Sequence, residues 1–147
     1  MDKINILKGG AIGIIGALGS FIAQSLGGWT SDMQTLIILM GIDIVMGLLI
    51  AGFWKKSSKS KTGTINSASM AKGLIRKGGY LLIILLAYRL DKSLGTDYIR
   101  TAAIIAFIAN EAISIIENAG IMGIPIPSVI TKAIEVLKQK SEGGDNE

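Results

Sequence analysis

The chain has no cysteine and no histidine in its 147 residues. The first absence excludes disulfides, thiol nucleophiles and cysteine-ligated metals. The second removes the commonest general base and metal ligand. Serines occur without a histidine to activate them, and no glycine-rich phosphate loop is present, so nothing supports an enzyme. Long stretches also lack charge: from Leu36 to Trp54 the only ionisable side chain is Asp43. By contrast, Lys55 to Lys77 contains no carboxylate but carries Lys55, Lys56, Lys59, Lys61, Lys72, Arg76 and Lys77.

Half of the residues are hydrophobic and the mean hydropathy is +0.53, more apolar surface than one soluble core of this size takes up. A soluble helical bundle would need a polar face on every helix, so the composition indicates an all-α integral membrane protein. The net charge of +4 does not indicate nucleic acid, because the positive residues sit beside apolar spans with no groove-reading motif. It fits orientation and anionic lipid better.

Four apolar segments follow one another. The first, from about Gly9 to Leu26, can just span a bilayer; cleavage as a signal peptide is the competing reading. On a helical wheel Gly9, Gly13, Gly16, Ser20, Ala23 and Gly27 form a small-residue stripe suited to close helix packing, within one subunit or between copies. The second, Gln34 to Trp54, ends in Trp54-Lys55-Lys56, a cytoplasmic boundary, with Trp29 near the opposite interface. The third, Gly78 to Leu90, has about 13 residues, or roughly 20 Å of helix, and the fourth runs from Thr101 to Ile116. Arg89 and Lys77 can lengthen the third by snorkelling; a shallow re-entrant pair is the alternative. With the basic loop inside, four spans put both termini in the cytoplasm. Residues 1–126 are thus a membrane domain, 127–140 an amphipathic cytoplasmic helix starting at Ser128, and 141–147 a flexible tail.

Asp43, in the middle of a span, needs a partner, a proton or water. Asn110, Glu111, Ser114, Glu117 and Asn118 make a polar stripe along the fourth segment, either a pore lining or an interhelical seam. The basic residues read first as topology determinants and second as lipid ligands.

Three features carry a family resemblance: Asp43 in the second span, the run GLIRK from Gly73 to Lys77, and NEAISIIENAGIMGIPIPSVI from Asn110 to Ile130. With them the chain resembles the toxin-secretion and phage-lysis holins of Gram-positive bacteria and their phages, over roughly Leu36 to Lys138. The resemblance implies a multi-pass protein of the bacterial cytoplasmic membrane that forms a homo-oligomer and opens lesions. A peptidoglycan hydrolase or a toxin then passes, with no cofactor and no catalytic residue. Members of that family are often described with three spans, one fewer than the residue pattern gives here. A small ion channel or transporter using Asp43 and Glu111 is the alternative, and a membrane scaffold a third.

Overall fold

The computed structural model describes residues 2–54 and 66–142, and those residues form helices joined by short connections. The order is α1 (Asp2–Ser25), α2 (Ser31–Leu49, continuing as a π-helical turn, Ile50–Trp54), α3 (Ser67–Leu94), α4 (Ile99–Ile121) and α5 (Ser128–Glu142). Lys55, Lys56, Lys59, Lys61 and the tail from residue 143 lie outside the described residues.

α4 is the centre of the bundle, packing on α2, α3 and α5. α2 turns Met33, Leu36, Met40 and Asp43 inward, at the three- and four-residue spacing that keeps side chains on one helix face. Ile104, Ile108 and Glu111 are their counterparts on α4. Leu36, Ile84 and Ile104 are fully buried and join α2, α3 and α4 in one apolar cluster.

Two corners fix the helix directions. Arg100, at the start of α4, donates to the carbonyls of Leu26 and Gly28 and to Thr30, just before α2. Further along both helices, Asp43 meets Ser114 and Asn118. α2 and α4 therefore run parallel, and α3 packs against α4 in the opposite sense.

Three runs are long and apolar enough to cross a membrane: Lys3–Ser25, Ser31–Phe53 and Ile99–Ile121. The count of four expected from the sequence is not reached on this criterion. α3 differs from its expected form for a local reason. The Asn66 side chain accepts from the amides of Ala68 and Ser69, capping a helix that begins at Ser67, so the stretch to Lys77 is helix and not loop. α3 is thus 28 residues long, but its first half carries Lys72, Arg76 and Lys77.

α1 stands apart. Every described side chain from Lys3 to Ile22 is exposed, and a Cβ added at Gly9, Gly13 or Gly16 would meet nothing within 4 Å. Gly9, Gly13 and Gly16 of the small-residue stripe therefore have no partner among the described residues. Ser20 accepts a long contact from Gln24 of the same helix, and Ala23 is half-buried. Gly27 needs a correction. It lies beyond the end of α1, with φ +89°, and a Cβ there would come within 2.7 Å of Arg100 Nε and Tyr88 Cδ2. It is a corner glycine, required by backbone conformation and close approach, not a member of a helical face.

Candidate functional site: a buried ion cluster between three helices

Asp43 and Glu111 each lie twelve residues in from the start of their helix, about 18 Å along it, and so at the same level of the parallel pair α2 and α4. Lys77 of α3 reaches that level from the third side. Its Nζ is 3.1 Å from Asp43 Oδ2 and pairs closely with Glu111 Oε2. The three side chains are no more than a tenth exposed. The other carboxylate oxygen of Asp43 accepts from Ser114 Oγ at 2.6 Å and Asn118 Nδ2 at 2.9 Å. One carboxylate thus takes donors from two helices, and one ammonium joins all three.

This arrangement answers the burial cost of each charge. A lone carboxylate or ammonium inside an apolar bundle is strongly unfavourable, whereas a paired and hydrogen-bonded one is tolerated. The pairing also replaces a driving force that helices in lipid lack, since lipid tails are as apolar as the side chains they meet. Beside the cluster Tyr80 stacks on Phe107, ring centroids 4.2 Å apart, locking α3 to α4.

The polar stripe of α4 is divided by this geometry. Glu111, Ser114 and Asn118 turn inward to Lys77 and Asp43. Asn110 and Glu117 are exposed, and with Gly73 and Arg76 they border an open pocket of about 300 Å³ against Asp43, Lys77 and Glu111. Lys77, read from the sequence as one of the solvated loop charges, is instead buried in this cluster. The physical reason is that α3 begins eleven residues earlier than the apolar pattern suggests and so carries Lys77 into the bundle. Lys72 and Arg76 remain exposed on α3. Among the described residues, no group of three acidic, cysteine or histidine side chains is placed to hold a metal ion.

A second polar site lies at the α3–α4 corner, in the short turn whose charged residues include Asp91 and Arg100. Asp91 accepts from Thr96 Oγ1, Ile99 N and Arg100 N, so it caps α4 from eight residues upstream. Burial alone would raise its pKa. The Thr96 hydroxyl and the amides of Arg100, Ile99 and Tyr98 more than offset this, and the carboxyl is held below its ordinary value. Gly95, with φ +71°, ends α3 there. That glycine is the local signal a sequence offers; the grip of Arg100 on Leu26, Gly28 and Thr30 spans 70 to 74 residues and has none.

The chain is 32% identical over 139 residues to the 14.9 kDa protein of the nagH 3′ region of Clostridium perfringens, covering 93% of this chain and 96% of that one. It is 31% identical over 118 residues to a probable holin of Bacillus phage phi105, covering 77% and 82%. A relative in Bacillus subtilis, YqxH, is 30% identical over 120 residues, covering 81% and 80%. No solved structure matches. The profile of the bacteriophage holin family matches residues 20–139, from the end of α1 through most of α5 and across the whole ion cluster, and the chain belongs to that family.

Proposed function

We propose that this protein is a holin: it accumulates in the bacterial cytoplasmic membrane, self-associates, and opens lesions through which a peptidoglycan hydrolase or an exported toxin passes. Family membership supports the reading, and one observation carries it. Asp43 and Glu111 sit midway along helices long and apolar enough to cross a membrane, and with Lys77 they are satisfied by one another and by Ser114 and Asn118. In a single copy these groups are buried against one another beside the open pocket. When helices separate within an assembly the same groups favour water over lipid, and they become the wall of an aqueous opening.

In this reading α3 is a fourth membrane segment. Lys77 is neutralised by its partners at mid-depth, and Lys72 and Arg76 snorkel toward the cytoplasmic end. The basic segment from Lys55 onward stays inside, both termini are cytoplasmic, and Trp29 and Tyr98, both exposed, mark the outer interface. Cysteines placed singly at Ser58 and Thr30 label from opposite sides of the membrane; labelling of Ser58→Cys from outside intact cells sinks this topology.

The functional test is inducible expression in a bacterium, with membrane potential and release of a cytoplasmic enzyme followed together. Loss of potential with release is the expected result. Selective conductance without release identifies a small channel that uses Asp43 and Glu111, and neither change identifies a scaffold.

A further inference from the structure

α4 is 23 residues long, about 34 Å of helix, with the apolar character of a full span. α5 does not leave it. After Gly123, with φ +75°, and a bond from Ile124 N to the carbonyl of Ala119, the chain turns and α5 packs back along α4. Ile134 is buried, and Leu137 joins the cluster that contains Ile104 and Ile108. Ile108 is thirteen residues from the end of α4, about 20 Å, so α5 reaches the middle of its neighbour.

Around these two, α5 leaves Val129, Ile130 and Val136 exposed beside a polar face. Lys132, Glu135, Lys138, Gln139 and Lys140 are exposed. With α4 across a bilayer, a docked α5 would hold the exposed Lys140 at about the depth of Ile108, among lipid tails, where an ammonium is expensive. Full insertion of α4 and docking of α5 are therefore mutually exclusive. An amphipathic helix with lysines flanking an apolar face has a second place to go, the interface of an anionic leaflet.

We propose that α5 is an exchangeable strap whose alternative partner is the anionic membrane surface. Docked, it buries Ile134 and Leu137 against α4. Released onto the cytoplasmic leaflet, it puts the same residues into lipid, keeps its lysines at the headgroups, and frees α4 to take up its whole span. Release of the strap is then a step that precedes assembly. The inference rests on α4 being a membrane span, as in the proposed function.

The test is a distance. Spin labels at Thr101→Cys and Gln139→Cys, both exposed and in a cysteine-free chain, report where the far end of α5 lies relative to the outer end of α4. In a neutral amphipol, which offers no charged plane, the expected separation is about 20 Å. In vesicles of phosphatidylglycerol and phosphatidylcholine in equal parts it lengthens by about 15 Å or more. Ile134→Asp should give the long distance already in amphipol. A short distance in the anionic vesicles overturns the strap, as does equal release in vesicles of phosphatidylcholine alone, which removes the anionic partner. Lysis by the unlabelled chain is scored in parallel. A persistent short distance with intact lysis defeats the strap only, whereas loss of lysis with a released α5 defeats the holin reading only.

Discussion

α1 and the α2–α3–α4 bundle are built from similar proportions of apolar residues and solve the same problem in opposite ways. α1 presents its side chains outward and makes no extensive contact with the other helices, so lipid or another chain must cover it. The bundle buries five charged side chains, Asp43, Lys77, Asp91, Arg100 and Glu111, each satisfied by a partner on another turn or another helix. Apolar length alone makes a span but gives it no preferred neighbour. Polar groups that cannot be left unpaired supply one, and they make the association specific.

The sharpest way to break the contrast is Lys77→Met. It strands two carboxylates, and the bundle is expected to lose about 3–5 kcal/mol, seen as a large drop in the denaturant midpoint of the purified protein in detergent. A midpoint within error of the wild type would mean that the cluster does not hold α3 in place. Next in size is Gly27→Val, which forces a branched residue into a left-handed conformation and against Arg100 and Tyr88, at about 2–4 kcal/mol. Gly28→Val shares the unfavourable backbone, with φ +95°, but meets nothing within 4 Å, so it should cost less; equal losses would remove the close approach as the cause.

Glu111→Gln comes third, because Asp43 still holds Lys77 and the amide keeps the shape of the carboxylate. The expected stability change is below about 1.5 kcal/mol, with insertion retained and lysis timing altered. Cysteines at Ser114 and Asn118 should then react with a water-soluble thiol reagent only after permeabilisation. If they stay protected in permeabilised cells, the seam never opens to water.

On the α1 side, Gly13→Leu and Gly16→Leu should leave the stability of the single chain within about 0.5 kcal/mol, since neither position touches the bundle. They should weaken cross-linking between copies more than Ala11→Leu on the opposite face. Equal effects at the three positions would show that α1 has no preferred face.

The smallest effect is the pH response of the corner. Asp91 has a lowered pKa in the folded protein, so its contribution is present above the ordinary carboxylate value of 3.8 and is lost as pH falls through the folded value below it. The stability difference between wild type and Asp91→Asn should shrink on acidification through that range. A constant difference would assign Asp91 a packing role instead.

Much of this protein is legible one residue at a time. The apolar runs mark α1, α2 and α4, and the amphipathic pattern after Ser128 marks α5, because hydropathy and helical period are local properties. The same patterns put Asp43, Glu111, Ser114 and Asn118 on faces that need partners. They misplace the start of α3, since a cap at Asn66 outweighs the polarity of the residues after it, and they count Gly27 as helical although the helix has already ended.

The sequence by itself determines that this is a helical membrane protein with costly charges inside its spans, because hydropathy and helical period are properties of neighbouring residues in the chain. Tertiary structure decides which charges meet. That Lys77 closes the gap between Asp43 and Glu111, and that Arg100 ties α4 to the corner before α2, follow from helix directions and register. These are set by contacts between residues that lie 34 to 74 positions apart and leave no periodic trace in the chain.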